Sequence, residues 1–156
     1  MKPLPSNPQP SLRGQAVKLL ARREHSRREL AKKLSTLGTL EEINAVLDQL
    51  EQAGLQSDAR VAAAYVRGNA ARYGVVKLKH ALRNLGIESE LIEASLAQEG
   101  IDDELQRARE LWQRKFCGKS GDPVDKRDLA RQARYMQSHG FSSEIIRKLI
   151  AAPDDE

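Results

Sequence analysis

The sequence predicts an all-α fold of three tandem three-helix (helix-turn-helix-like) repeats that form an elongated, curved molecule. Apolar residues recur at helical spacing along most of the 156 residues, and almost no segment alternates apolar and polar residues as a strand does. The helical segments also end at glycines in a recurring order. The 40% share of hydrophobic residues is too high for a wholly disordered chain.

Two terminal segments flank the repeats. Four of the first ten residues are proline, which is typical of a flexible arm, and the last residues form an acidic tail after Pro153. Each repeat is too small to hold a large core, so we expect neighbouring repeats to pack together. The predicted divisions are the arm at 1–10, the repeats at 11–55, 56–100 and 101–152, and the tail at 153–156.

The first repeat contains start and stop signals for its helices. Ser26 and Glu29 have the spacing of a capping box, in which a hydroxyl and a carboxylate each bind an exposed backbone N–H group, so Ser26 begins the second helix. We expect Gly38 to end that helix in the left-handed conformation. Thr39 then begins the third helix with another capping box, and Gly54 ends it. The apolar stripe of the second helix is Leu30, Leu34 and Leu37.

The second repeat follows the same order. Ser57 and Asp58 open a long helix that we expect to reach Tyr73 and to stop at Gly74. The next helix ends at Gly86, and a third helix runs from near Ser89 to Gly100. Aligning Gly38 with Gly86 superimposes the leucine stripe of the first repeat on Leu78, Leu82 and Leu85, which is the pattern of an internal repeat.

The third repeat is more divergent. Its first helix carries apolar residues from Leu105 to Phe116, and residues 117–124 are rich in Gly, Ser, Asp and Pro, which predicts a loop. Residues 125–139 form the predicted second helix, which Gly140 ends. The third helix of this repeat carries Ile145, Ile146, Leu149 and Ile150.

The net charge of +4, from 26 Lys and Arg against 22 Asp and Glu, conceals a strong segregation. Residues 61–86 contain five bases and no acid, whereas the third helices of the first two repeats are acidic. If the repeats stack in register, the basic helices line one face that attracts DNA phosphates or an acidic protein surface. The other reading is that these are solvated helix faces with local ion pairs. The candidate binding residues are Arg22, Arg23, Arg27, Arg28, Arg67, Arg72, Lys77, Lys79, Arg83, Lys115, Lys126, Arg127, Arg131 and Arg134.

The 4% aromatic content bears on the kind of DNA contact. Trp112 and Phe116 are four residues apart on one helix, and we expect them to pack inside the third repeat rather than to stack on bases. With so few aromatic residues, contact with phosphates fits better than a base-stacking platform.

The sequence offers little for catalysis or membrane insertion. It has no Gly-rich phosphate loop, no His-Glu-x-x-His and no Cys-x-x-Cys motif, and its three histidines are scattered. Cys117 is the single cysteine, which favours a reducing compartment, and no apolar run approaches the roughly 20 residues that span a bilayer. We therefore expect no enzyme activity, cofactor, metal, small-molecule substrate or membrane contact, and a cytoplasmic protein.

An ordered set of short motifs is similar to the RecX family of bacterial recombination regulators. Residues 23–30 with Leu34 resemble the start of that family's first repeat. The second repeat resembles it at Tyr65, Arg72, Tyr73-Gly74, Lys77-Leu78, Leu82 and Gly86-Ile87. The third resembles it at Arg114-Lys115-Phe116, Ala133-Arg134-Tyr135-Met136 and Gly140-Phe141-Ser142.

This resemblance implies a non-catalytic negative modulator of the RecA recombinase. Its expected partners are RecA and the RecA–single-stranded-DNA filament, with direct, non-specific DNA binding as an addition. It would limit filament extension, and with it ATPase, strand exchange and co-protease activity. Two alternatives stay open. One is a helical repeat DNA-binding module that does not act through RecA, with residues 75–85 as its recognition helix. The other is a helical adaptor for an unrelated protein.

Overall fold

The computed structural model describes residues 11–101, 103–116 and 126–151. These residues contain nine α-helices and no strand, in three groups of three, which confirms the all-α fold of three-helix repeats. The predicted arm, the loop after Phe116 and the acidic tail lie outside the described residues. The helices are α1 Leu12–Arg22, α2 Arg27–Leu34, α3 Leu40–Gln52, α4 Asp58–Asn69, α5 Val75–Asn84, α6 Ser89–Gln98, α7 Glu104–Phe116, α8 Lys126–Ser138 and α9 Ser143–Ala151.

The chain divides into two compact units. The first contains the described part of residues 1–61 together with Leu85–Ile87, and the second contains Ala62–Asn84 with the described part of residues 88–156. The core of the first unit joins α1, α2 and α3, and it includes the stripe predicted for α2 except Leu37. Its buried residues are Ala16, Leu30, Leu34, Ile43, Leu47 and Leu50.

Ser26 begins α2 as predicted. Its hydroxyl accepts a hydrogen bond from the Glu29 N–H at 3.1 Å, while the Glu29 carboxylate accepts one from the Ser26 N–H at 3.2 Å. The same hydroxyl donates to the carbonyl of Leu85 at 2.7 Å. Ser26 is completely buried, so a local helix signal also serves a contact 59 residues away along the chain.

The capping box predicted at Thr39 is only half formed. The Thr39 hydroxyl accepts the Glu42 N–H at 3.2 Å, as expected. The Glu42 carboxylate, however, accepts the Thr39 hydroxyl at 3.1 Å, and the cap lacks the reciprocal bond to the backbone. Thr39 is exposed, and water can satisfy its N–H group.

Gly38 does not end α2 in the left-handed conformation, and that prediction was wrong. The helix stops at Leu34, and the next residue, Ser35, has the right-handed α conformation. Its hydroxyl caps the helix by donating to the Lys32 carbonyl at 2.7 Å. Leu37 therefore lies beyond the helix and is 54% exposed instead of joining the core. Positive φ angles do occur at four of the other five predicted stops, Gly54, Gly86, Gly100 and Gly140.

The second unit contains the packing between the second and third repeats. In the third repeat, α7, α8 and α9 bury one cluster, and Trp112 packs against it while donating its indole N–H to Gln132 at 2.9 Å. Phe116 meets the Tyr135 ring edge-on at 5.3 Å, so both residues pack within the repeat as predicted. The buried cluster is Ala108, Leu111, Met136, Phe141 and Ile146.

Helix α4 ends four residues earlier than predicted. It stops at Asn69, whose side-chain amide donates to the Tyr65 carbonyl at 2.9 Å, and a turn leads to Gly74. Gly74 lacks the positive φ expected of a helix stop. Its role is to let two backbone segments approach each other closely, because a Cβ atom at Gly74 would overlap the carbonyl of Gly140. Among the described residues, no helix is both long enough and apolar enough to cross a bilayer.

Candidate functional site

Several predicted binding residues form ion pairs inside their own repeat. Arg27 on α2 lies 2.7 Å from Asp48 and 2.9 Å from Glu51, both on the acidic helix α3. Lys79 on α5 lies 2.7 Å from Glu93 on the acidic helix α6. The acidic third helices therefore compensate part of the basic charge next to them, as the local-pairing interpretation requires.

Three further predicted cations are also paired. Arg67 lies 3.2 Å from Glu99, and Arg131 lies 3.5 Å from Asp128. Arg23 lies 2.9 Å from Glu29. Burial by itself would raise the pKa of the Glu29 carboxyl, but hydrogen bonds from Arg23 and from the Ser26 N–H outweigh it, so the pKa is lowered.

The remaining predicted cations have no carboxylate partner among the described residues. Within the described part of the chain, their positive charge is therefore uncompensated. They are Arg22, Arg28, Arg72, Lys77, Arg83, Lys115, Lys126, Arg127 and Arg134.

Two of these uncompensated cations line a cleft in the second unit. The cleft lies between the end of α4 and helices α7 and α8, and its volume is about 370 Å³. Arg72 and Lys115 are on its walls together with Arg114, which our site prediction did not include. We refer to it as the basic cleft; its lining residues are Arg72, Tyr73, Leu111, Arg114, Lys115, Tyr135 and His139.

Two cations of the basic cleft, and Lys77 beside it, lie over aromatic rings. The Lys77 ammonium is 4.2 Å from the Tyr73 ring centre, and the Arg72 guanidinium is 5.4 Å from it. Lys115 lies 5.4 Å from the centre of the Tyr135 ring. These separations are within the range of cation–π attraction, which positions the charges without neutralising them.

His139 lies close to both tyrosines. Its ring centre is 4.1 Å from that of Tyr135 and 6.1 Å from that of Tyr73. The Nδ1 atom is 2.8 Å from the Tyr135 carbonyl, and because a carbonyl only accepts, Nδ1 carries the proton. Two of the six Phe, Trp and Tyr residues of the chain, Tyr73 and Tyr135, thus lie beside uncompensated charge.

Two arginines of α7 hold the end of α4 in place. Arg107 donates to the carbonyls of Ala70 at 2.8 Å and Tyr73 at 3.0 Å, and Arg114 donates to the Ala71 carbonyl at 2.7 Å. Burial lowers the pKa of Arg107, against the opposing influence of Glu104. The two arginines bind carbonyls of the turn that follows α4, and so they fix the position of Arg72 and Tyr73 in that turn.

Sequence reasoning missed Arg107 and did not assign Arg114 to the site. Their seven-residue spacing puts both on the same face of α7, which was a usable signal. Nothing in the sequence indicated that this face meets α4. Within the described residues, no group of three or more His, Cys, Asp and Glu side chains is placed to hold a metal ion.

Comparison with known proteins identifies the family. Models of the three three-helix domains of RecX match this chain in order, the first at residues 13–50, the second at 57–96 and the third at 102–150. The chain belongs to the RecX family. It is 43% identical to the regulatory protein RecX of Leptothrix cholodnii over 152 residues, which cover 97% of this chain and 94% of that one.

Further RecX proteins are similar to this chain over most of its length. The regulatory protein RecX of Chromobacterium violaceum is 35% identical, over 94% of this chain and 93% of its own. A crystal structure of RecX from Lactobacillus salivarius superimposes with a TM-score of 0.76 at 22% identity, over 90% of this chain and 92% of the other. That likeness supports the fold, and the named relatives support a role as a RecX regulatory protein.

Proposed function

We propose that this protein binds RecA and the RecA–single-stranded-DNA filament and limits filament extension. Reduced ATP hydrolysis, strand exchange and co-protease activity follow, because each depends on an extended filament. Membership of the RecX family supports the regulatory role. The proposed role places the protein in the cytoplasm, where it meets RecA.

The observation that carries the proposal is the division of the basic residues into two sets. One set, which includes Arg27 and Lys79, forms ion pairs with carboxylates of the same repeat. The other set, which includes Arg72, Lys77 and Lys115, has no carboxylate partner in the described part of the chain. Uncompensated cations held on a rigid scaffold attract a polyanionic partner, and this attraction weakens with salt.

The proposed mechanism is non-covalent. Each repeat contributes a few weak contacts to the filament, and repeats on one chain engage it together. A second contact on the same molecule forms at high effective concentration, so modest contacts combine into strong binding. The protein would then bridge neighbouring RecA subunits and oppose the addition of more.

The alternative of a sequence-reading DNA module has less support. Its recognition helix would be α5, whose basic residues should reach base edges. Lys79 is instead paired with Glu93, and Lys77 lies over the Tyr73 ring with its ammonium 3.4 Å from the Ser138 carbonyl. That leaves Arg83 and Asn84 on this helix for direct readout.

The test is the ATPase activity of RecA on single-stranded DNA, titrated with the wild-type protein. Inhibition at less than one molecule per RecA supports action on the filament. Absence of inhibition, combined with tight binding to one duplex sequence, would replace this proposal with the DNA module.

A further inference from the structure

We propose that the basic cleft binds one nucleotide of single-stranded DNA. The phosphate would lie among Arg72, Arg114 and Lys115, and the sugar and base would lie against the rings of Tyr73 and Tyr135. This proposal rests on the proposed function, because the RecA filament carries single-stranded DNA. It identifies the part of this protein that contacts that DNA.

The charges of the cleft suit a phosphate. Arg72 uses one nitrogen to donate to Asn69 at 2.9 Å, and Arg114 uses one to donate to the Ala71 carbonyl. A guanidinium has five N–H donors, so each arginine keeps donors for a ligand. In the described part of the chain, neither these arginines nor Lys115 has an ion-pair partner. An anion would complete the site.

The size and shape of the cleft favour a single strand over a duplex. Its volume of about 370 Å³ is near the lower end of the roughly 300–1,000 Å³ of small-ligand sites, which suits one nucleotide unit. A duplex keeps its bases stacked inside, so it cannot lay the face of a base against an aromatic ring in a concave site. A single strand can do so, and aromatic rings bind its bases without sequence preference.

A second cleft in the same unit provides a contrast. It has a volume of about 210 Å³ and is lined by α5, α6 and Ile101. Its one cation, Lys79, and its one carboxylate, Glu93, form an ion pair at 2.7 Å. Because this charge is already compensated, an added anion gains little there, and the basic cleft is the better site.

Fluorescence anisotropy with an oligo(dT) of about 15 nucleotides tests the proposal without RecA present. The test variant is Arg72→Gln/Lys115→Gln. The matched control is Arg147→Gln/Lys148→Gln on α9, which removes the same charge from two exposed residues of the same unit. Far-ultraviolet circular dichroism and the Tm establish that both variants are folded.

Each phosphate contact contributes about 0.7 to the slope of log K against log salt for a single strand. Arg72 and Lys115 contact the same phosphate in the proposed site, so the test variant should lose about 0.7 from that slope and bind about tenfold more weakly at low salt, while the control keeps the wild-type slope. Equal slopes and affinities for the two variants would overturn the proposal.

Two further ligands test its details. The test variant, Arg72→Gln/Lys115→Gln, should lose more affinity for oligo(dT) than for a duplex of the same length. Equal losses of affinity would contradict the preference for a single strand. An abasic strand should bind wild-type protein at least about fivefold more weakly than oligo(dT), since one stacked base is worth roughly 1–3 kcal/mol. Equal binding would contradict the role of the rings. Inhibition of the RecA ATPase by the wild-type protein is measured separately. If the wild-type protein binds oligo(dT) through the basic cleft but does not inhibit RecA, the result counts against the proposed function alone.

Discussion

The backbones of Gly74 and Gly140 lie in direct contact and join the second repeat to the third. The Gly74 N–H donates to the His139 carbonyl at 2.7 Å, and the Val76 N–H donates to the Gly140 carbonyl at 3.2 Å. Gly140 adopts a φ of +88°, a conformation that an L side chain rarely takes. The start of α5 thus packs on the end of α8, next to the basic cleft.

Replacing Gly74 with Ala should destabilise the protein by about 1–3 kcal/mol, because the new methyl group would overlap the Gly140 carbonyl and force the backbones apart. Urea unfolding followed by circular dichroism measures the change. Gly68→Ala, in the last turn of α4, is the matched control: a Cβ there meets nothing within 4 Å, and Ala should stabilise the helix by at most about 0.5–1 kcal/mol. Equal stability of the two variants would contradict the account of this contact.

Ser26→Ala should cost more stability than Thr39→Ala, although both remove a hydroxyl that caps a helix. Thr39 is exposed, so its loss should cost about 0.5–1 kcal/mol. Ser26 is buried and also donates to the Leu85 carbonyl, so its loss should cost about 2 kcal/mol or more. Thermal unfolding in the same buffer measures the stability of the two variants. A smaller loss of stability for Ser26→Ala than for Thr39→Ala would refute this explanation.

The capping carboxylate of Glu29 should make the protein sensitive to acid. Its pKa is lower in the folded protein than the ordinary 4.5, so its stabilisation is complete above pH 4.5 and is lost as the pH falls through the folded-state pKa. Glu29→Gln should therefore have a lower Tm than wild type at pH 7, with a difference that narrows toward pH 3. A difference that is constant with pH would mean that the Glu29 charge does not stabilise α2.

Local signals in the sequence predicted local structure well. The capping box at Ser26 and the leucines of α2 depend on residues within a few positions, and both are present except for Leu37. Gly38 and Gly74 show the limit of such signals. A glycine after an apolar stripe fits a helix stop, but it fits a close approach by a distant residue equally well. Here the distant neighbours decide: the side chain of Leu12 lies close to Gly38, and the backbone of Gly140 lies close to Gly74.

The candidate site was predicted only in part. Composition identified the basic residues, but whether a cation is compensated depends on which acid the fold brings to it, as Glu93 is brought to Lys79. The basic cleft lies between the turn after α4 and helices α7 and α8, and that turn is distant in sequence from both helices. The hydrogen bonds from Arg107 and Arg114 to the turn fix the shape of the cleft, and they have no local signature in the sequence.

The central claim is that the uncompensated cations carry the regulatory function. The most direct test measures the rate of ATP hydrolysis by RecA on single-stranded DNA in the presence of charge-reversed protein. Wild-type protein and the control Arg147→Glu/Lys148→Glu should inhibit at less than one molecule per RecA. Arg72→Glu/Lys115→Glu should need at least about tenfold more protein for the same inhibition while keeping its helical spectrum. Inhibition by this variant at the wild-type concentration would contradict the account.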